Sequence, residues 1–403
     1  MKSIAIIISH VVNDAVTHGF VPAAKALNMH TVLITDHKLD HLNLAINDKS
    51  FHPDQIIECD VFNPLDIIDT IIKNGFSPNI IFSNSDHLQT STAIAAQFFK
   101  LPAKSWEVCL KAKNKQLTRE TLDEKDLPNI KSWLIQSDQN LPVSLLFPLV
   151  AKPREGVASM DVQLCNDEKE LNKYCQQFWQ KQPNTLILLE EYIQGPLITL
   201  ETLSDGQTII PIGGFDVQLS KPPYFIETSA SWNGPLSEKH QDACLQQLTE
   251  FGIGLGVCHS EFILTKTGPV LVEINYRSIG DGREFLLNNL APYSWFETIL
   301  QLHQGWKIDK PLAISGSAEV HYIIAEHSGI ITGNTKSNKF QLDGIITQCQ
   351  VLCRAGKTLT ISHSNKDYLA RISVASPTGK PLQLPLQQAI NACDLVSEQE
   401  VLA

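Results

Sequence analysis

Residues 257–277 read Val-Cys-His-Ser-Glu-Phe-Ile-Leu, then Thr-Lys-Thr-Gly-Pro, then Val-Leu-Val-Glu-Ile-Asn-Tyr-Arg. Two strand-forming runs flank a turn-forming Thr-Gly-Pro centre, the signature of a hairpin. With the turn near Thr267, Glu261 falls opposite Glu273. Side chains on one face of a strand recur every two residues, so Glu273, Asn275 and Arg277 share a face with His259 and Glu261 of the partner strand. The alternating positions Val272 and Ile274 are apolar. Two carboxylates and an amide oxygen make an oxygen-rich site for a hard cation such as Mg²⁺, which binds through one or two carboxylates together with substrate phosphates. An adjacent arginine would steady charge on a phosphoryl or acyl-phosphate oxygen. A single histidine among carboxylates is a thin donor set for zinc. Taken alone, these residues also fit a solvated hairpin face with an Arg–Glu ion pair.

The elements that must position this hairpin fall into three parts. Over residues 1–110, short β-branched runs (3–9, 31–36, 56–59 and 79–83) alternate with helical spacing (15–27 and 64–74), and Asp86 can cap a helix running to Phe99. That alternation implies βαβ units, a parallel sheet and a ligand crevice beyond the strand carboxyl ends. No glycine follows the first strand, where Ser9-His10-Val11-Val12-Asn13 stands, so a dinucleotide site is not expected there. Residues 111–310 open with a charged helical stretch (111–126). Strands follow at 132–135, 146–152, 185–192, 198–203 and 208–215, with the look of antiparallel sheets and a lid subdomain over about 130–195. Gly252-Ile253-Gly254-Leu255-Gly256 follows a helical pattern and precedes a strand, the reverse of a nucleotide-binding turn, and reads as a helix end. Residues 311–403 read as a small α+β cap with strands at 318–325, 344–353 and 369–376 and a helix near 386–393. The class expected is α/β plus α+β.

Composition narrows the chemistry. The 403 residues carry a net charge of −11 and no Lys/Arg-rich run, which argues against a nucleic-acid surface. The nine cysteines are scattered without a CxxC pair and read as buried reduced thiols. The opening MKSIAIIISH is a strand rather than a signal peptide, and no run approaches about 18 apolar residues, so no membrane segment is expected and the cytoplasm is the default compartment.

The hairpin's Glu261, Glu273 and Asn275 resemble the final E…ExN motif of the ATP-grasp superfamily, and further blocks follow in that family's order. The first 110 residues look like its Rossmann-like preATP-grasp domain. Asn114-Lys115-x3-Arg119-x2-Leu122 resembles the helix bringing a first lysine to the ATP phosphates, and Pro148-Leu149-Val150-Ala151-Lys152-Pro153 the strand carrying a second. Leu188-Leu189-Glu190-Glu191-Tyr192-Ile193 with Glu201 beyond is similar to the hinge strand, which implies adenine and ribose contacts at Glu190, Glu191, Tyr192, Ile193 and Glu201. The same segment also reads as an amphipathic edge strand. The phosphate lid departs from the usual Gly-Ser-x-Gly-Val. Ala158-Ser159-Met160-Asp161-Val162 keeps Ser159 but replaces both glycines, which should reshape the backbone cradle and sets Asp161 near a polyanion.

Within the superfamily, His259-x-Glu261, Glu-Ile-Asn-Tyr-Arg, Gly280-Asp281-Gly282 and the C-terminal cap resemble the L-amino-acid ligase and related carboxylate–amine ligase branch, some of whose members serve siderophore or peptide natural-product assembly. The resemblance implies ATP and Mg²⁺ (Mn²⁺ as a substitute), amide formation through an acyl phosphate with release of ADP and phosphate, small-molecule carboxylate and amine substrates, and the homodimer common in the superfamily. Arg277 would then hold the carboxylate and oxyanion, Arg283 a second carboxylate, and Lys115 and Lys152 the phosphates. The proton acceptor stays open among His259, Glu227 and Asp281. The loop 222–235, with Tyr224, Phe225 and Trp232, would shape the acyl pocket. The alternatives are a biotin-carboxylase-like enzyme, for which Glu284 is the nearest substrate-side acid, and an ATP-grasp-like protein that binds nucleotide without turnover.

Overall fold

In the computed structural model, residues 2–48, 51–137, 141–142 and 145–398 are described. Strands β1 (Ile4–Ile8), β2 (His30–Thr35), β3 (Gln55–Glu58) and β4 (Ile80–Phe82) form a parallel sheet in the order β3-β2-β1-β4. Its apolar runs follow from burial on both faces. Ala5, Ile7, Leu33 and Phe82 enter one core with the helices Val21–Ala26 and Trp295–His303. Ile6, Ile8, Val32 and Ile34 enter a second core with Pro64–Lys73 and Gln89–Phe98. The first of these cores continues into the central sheet through Leu203, Phe215 and Val257, so the hairpin and the N-terminal sheet share one apolar interior.

A small antiparallel sheet follows: β5 (Ser132–Ile135), β6 (Leu149–Pro153), β7 (Gln163–Cys165) and β8 (Ile187–Glu191), ordered β5-β8-β6-β7. Helix Glu168–Lys181 covers it and contributes Leu171, Tyr174, Cys175 and Phe178 to a separate core. The central sheet then takes β9 (Leu197–Ser204), β10 (Ile209–Gly213), β11 (Phe215–Leu219), β12 (Glu227–Trp232), β13 (Gly256–Thr265), β14 (Gly268–Asn275) and β15 (Ser317–Ile324). In the C-terminal part, β16 (Gly329–Thr332), β19 (Thr358–Leu359) and β21 (Val396–Glu398) make a three-stranded sheet. There β17 (Asn338–Leu342), β18 (Ile345–Val351) and β20 (Tyr368–Ser376) extend the central sheet instead, in the order β14-β13-β9-β11-β12-β15-β20-β18-β17. The expected cap range includes residues 399–403 and the lid range residues 138–140 and 143–144, which lie outside the described residues.

The structure departs from the sequence reading at several places. Residues 15–27 do not form one α-helix: a wide helical turn Ala15–Phe20 runs into Val21–Ala26 at Pro22, which has no N–H to give the ladder. The stretch 208–215 is two strands that both pair with β9, parted at Gly213 (φ +141°) and Gly214, where a Cβ would lie 2.0 Å from the Thr199 carbonyl oxygen. The stretch 111–126 is also split. Helix Trp106–Lys113 ends at Asn114, whose side chain accepts from the backbone N–H groups of Gln116 and Leu117 and so starts a new helix, Lys115–Glu124. Gly252, at φ +105°, ends the helix Pro235–Phe251. Asp86 caps no helix; its carboxylate is engaged elsewhere.

Candidate active site

Strands β13 and β14 pair antiparallel with Glu261 opposite Glu273 and His259 opposite Asn275. A bulge follows Glu261, where Phe262 meets Leu271 and Val272 becomes the extra residue. On its other edge β13 pairs with β9, which sets His259 beside Glu201. His259 is 3% exposed; its Nδ1 lies 2.7 Å from Glu201 and its Nε2 3.4 Å from Glu261. Burial works against charge on this imidazole, but Glu201 and Glu261 outweigh it and hold the pKa up at about 9. The charged imidazolium is thereby favoured over the neutral ring.

Between the small β5–β8 sheet and this hairpin lies a cleft that opens to solvent, with about 890 Å³ of empty space including its open mouth. Its walls carry Lys115, Lys152, Ser159, Glu190, Glu191, Tyr192, Ile193, Glu227, Glu261 and Glu273, so most of the residues singled out from sequence converge there. Apolar side chains, among them Val150, Leu219, Phe225 and Ile263, complete the lining and suit a flat ring. Lys115 reaches 2.8 Å to Glu273 and donates to the Gly156 carbonyl at 3.0 Å. Burial opposes this pair's charges, but each partner holds the other ionised, with Lys115 raised and Glu273 lowered to about 2. Lys152 sits 2.5 Å from Glu190, whose other oxygen receives Arg119 at 3.1 Å. Burial lowers the Lys152 pKa and Glu190 pulls the other way. Glu190 is thus 3% exposed, its side chain held by two cations while the residue lines the cleft. Tyr192 and Ile193 are half-buried on the cleft wall, and Glu191 is exposed at its rim.

Glu201 is not on this wall. It is fully buried in the middle of the sheet, bonded to His259 and to Thr199, so the ribose contact expected of it does not arise there. Trp232 is a core residue, edge-on to Phe215 at 4.9 Å, and Tyr224 stacks on His363 at 4.1 Å; of the three aromatics only Phe225 lines the cleft. The segment Glu227–Trp232 is a strand, not a loop.

Arg277 leaves β14 and is clamped by Asp86, with Nη2 and Nε at 2.6 and 2.7 Å from the same carboxylate oxygen. Asn275 satisfies its neighbours when its amide nitrogen faces that carboxylate at 3.3 Å. Farther along, Arg283 and Glu227 approach to 2.8 Å, though poorly aligned for a hydrogen bond. Burial raises the Glu227 pKa; Arg283 opposes this, and Glu261 and Asp281 add to it. Asp281 is exposed in a left-handed turn (φ +54°). Next to it Glu284 is buried, and burial lifts its pKa to about 7 against the pull of Arg371.

The loop 158–161 holds left-handed backbone at three residues that are not glycine. Ala158, Ser159 and Asp161 hold φ of +55°, +54° and +54°. Ala158 and Ser159 line the cleft, whereas Asp161 faces away, its carboxylate 3.3 Å from Gln182 and its carbonyl accepting from Tyr174 at 2.6 Å. Asn365, not foreseen from sequence, donates its N–H to the Ala158 carbonyl at 3.2 Å and accepts from the Glu227 N–H at 3.2 Å, tying the loop at Ala158 and strand β12 to the C-terminal part.

A polyphosphate and a divalent cation fit this donor set: two lysines and Ser159 on one side, two facing carboxylates and an amide on the other. Residues 145–284 match the ATP-grasp domain model. The chain is similar to the uncharacterized protein y4rH of Sinorhizobium fredii at 23% identity over 317 residues, 73% of this chain and 63% of that protein, so it spans a little under two thirds of that relative's length. Among solved structures, L-amino acid ligase from Bacillus licheniformis superposes with a TM-score of 0.77 at 17% identity, covering 99% of this chain and 100% of that one. The biotin carboxylase domain of the Hydrogenobacter thermophilus 2-oxoglutarate carboxylase, solved with MgADP and bicarbonate, gives 0.70 at 16% identity over 98% and 91%. The chain carries an ATP-grasp domain and has the ATP-grasp fold.

Proposed function

We propose that the chain is an ATP-dependent, ADP-forming ligase that joins a carboxylate to an amine. The observation that carries this reading is the convergence of Lys115, Lys152, Glu261 and Glu273 on one cleft, with Arg277 held rigidly beside Asn275. The domains are then a preATP-grasp unit to about residue 110, the catalytic unit to about 310 and a cap beyond, joined by the pairing of β12 with β15.

In this reading Tyr192, Ile193 and Phe225 receive the adenine, and Lys115, Lys152 and Ser159 receive the phosphates. Glu261, Glu273 and Asn275 would hold Mg²⁺, whose charge supports the phosphates during transfer. Lys115 would exchange its contact with Glu273 for a phosphate oxygen. The substrate carboxylate, steadied by Arg277, attacks the γ-phosphorus; the bond to the ADP oxygen breaks and an acyl phosphate forms. The amine nitrogen then attacks the acyl carbon and phosphate departs. A neutral amine is needed, so one proton must be removed. We assign that proton to Glu227, which faces the cleft and whose carboxyl burial holds above its ordinary value. Arg283, its present partner, is set to hold a second substrate carboxylate. Peptide natural-product or siderophore assembly is the setting this chemistry suits.

The test is ADP release from Mg-ATP against a crossed panel of amino acids, hydroxy- and polycarboxylic acids and amines. Release requiring one acid and one amine supports the ligase. Release with bicarbonate and biotin moves the assignment to a carboxylase, for which the buried Glu284 would be the acid to examine. Bound ATP without release under any pairing leaves a nucleotide-binding protein.

A further inference from the structure

A second set of ligating side chains lies outside the nucleotide cleft. β1 and β2 run parallel with Ile8 opposite Ile34, so the residues two places beyond them, His10 and Asp36, emerge side by side at the carboxyl end of the sheet. His37 follows directly. One donor atom from each of His10, Asp36 and His37 falls within 4.8 Å of the others. We propose that these three residues bind a divalent transition metal ion of the zinc, cobalt or nickel type, distinct from the cation of the nucleotide site.

The donor chemistry sets the class. Two imidazoles and one carboxylate suit zinc and its neighbours, whereas Mg²⁺ and Ca²⁺ select oxygen ligands. Three protein ligands leave a fourth position open. The side chains are 31%, 26% and 39% exposed, so an ion can reach them. The backbone that presents them is tied down. The Thr35 hydroxyl donates to the His10 carbonyl at 3.0 Å and accepts from the His37 N–H at 3.0 Å, and the buried His41 Nε2 donates to the same His10 carbonyl at 3.2 Å. Asp40 accepts from His37 Nδ1 at 3.1 Å, the carboxylate–imidazole pairing that orients metal-bound histidines, and leaves Nε2 for the ion. His10 Nδ1 lies 2.8 and 2.9 Å from the two Asp36 oxygens. A shared tetrahedral ion would part such atoms to about 3.3 Å, as follows from bond lengths near 2.0 Å. That small opening is within reach of two half-exposed side chains.

The location also argues for a ligand. Open parallel sheets bind their ligands beyond the strand carboxyl ends, and this crevice is not used by the nucleotide reading. Asp86, after β4, lies on the same rim, and the neighbouring His87 feels the charges of both Asp86 and His10. The metal would thus face the side of the molecule on which Arg277 is held.

Metal-free protein titrated with Co²⁺ and followed by visible absorption and by calorimetry tests the site, using the full chain and its His37→Ala, Asp36→Asn and Glu273→Gln variants. One equivalent should bind with a nitrogen/oxygen ligand-field spectrum. Affinity should fall at least tenfold in His37→Ala and in Asp36→Asn, about the smallest loss seen when even an outer-shell partner is removed. The Glu273→Gln variant removes a ligand of the nucleotide-site cation, so the equivalent it still binds reports this site alone. Zn²⁺ should raise the melting temperature of the wild type and not of His37→Ala, a half-exposed position whose replacement leaves the core intact. No uptake by the wild type, full affinity in both site variants, or a thiolate-to-cobalt charge-transfer band would each overturn the proposal.

Discussion

Asp86 and Arg277, 191 positions apart, meet through a single carboxylate oxygen that receives both Nε and Nη2 of the arginine. The N-terminal sheet thereby fixes the side chain that the ligase reading places at the acyl group. The Asn84 side chain, in the same loop, accepts the Ser278 N–H at 3.1 Å and fixes the backbone that follows Arg277. In Asp86→Asn the guanidinium loses its counter-charge and one geometric constraint while the loop keeps its shape. We expect kcat/KM for the carboxylate to fall at least about tenfold, as loss of orientation does, with the Kd for ATP nearly unchanged. Equal losses in both constants would place Asp86 in general folding rather than in positioning Arg277.

Glu273→Gln separates the metal reading from a merely structural hairpin. Gln keeps the shape but not the charge, and it also releases Lys115 from its 2.8 Å partner. Turnover should drop by about 10²-fold or more, since metal support of transferring phosphoryl groups contributes several kcal/mol. Initial rates across a Mg²⁺ series, wild type against variant, check this; rescue by high Mg²⁺ would point to weakened binding of the ion, and full turnover at ordinary Mg²⁺ would remove Glu273 from the metal set.

Much of this arrangement was legible in the chain because it is local. The hairpin register follows from period-two alternation and a Thr-Gly-Pro turn, so Glu261 opposite Glu273 could be read directly. Lys115 could be named only through the family pattern, because the Asn114 cap that starts its helix splits a stretch that reads as one. What could not be read lies in long-range pairings. Arg119 stands in the Lys115 helix pattern with nothing to mark its partners, yet it is 2% exposed and donates to Glu190 and to the carbonyls of Leu271 and Val272. Glu201 belongs to the hinge pattern by spacing, but β9 is an interior strand and sends it under His259. Asp86 satisfies a helix-start pattern that its tertiary partner overrides. The strands β17 and β19 are short and polar, with little hydrophobic alternation to mark them.

His259 makes stability depend on pH in a defined direction. Its pKa is raised from 6.5 to about 9 on folding. The charged form is favoured in the folded state, so the contribution is complete below 6.5 and is lost as pH rises through 9. A shift of that size corresponds to ~3 kcal/mol. Urea midpoints of the wild type should decline between these values more steeply than those of His259→Gln. Parallel curves would show that Glu201 and Glu261 do not hold the imidazolium.

The lid offers the sharpest contrast between backbone and side chain. Ala158 and Asp161 occupy left-handed backbone at the two positions where the family pattern has glycine. An L-residue in that region costs roughly 1–2 kcal/mol, less for aspartate, which tolerates it. Glycine also enlarges the unfolded ensemble, by about 0.4–1 kcal/mol, so Ala158→Gly should raise the melting temperature slightly and Asp161→Gly should leave it nearly unchanged. Nucleotide affinity is a cleaner readout, because backbone N–H groups at a cleft wall can turn to phosphate only if the chain is free to adjust. We expect ATP Kd to tighten several-fold in Ala158→Gly and less in Asp161→Gly, since Ala158 lines the cleft and Asp161 faces Gln182. The reverse ranking, measured by calorimetry at fixed Mg²⁺, would mean that the Asp161 charge, not backbone strain, limits the lid.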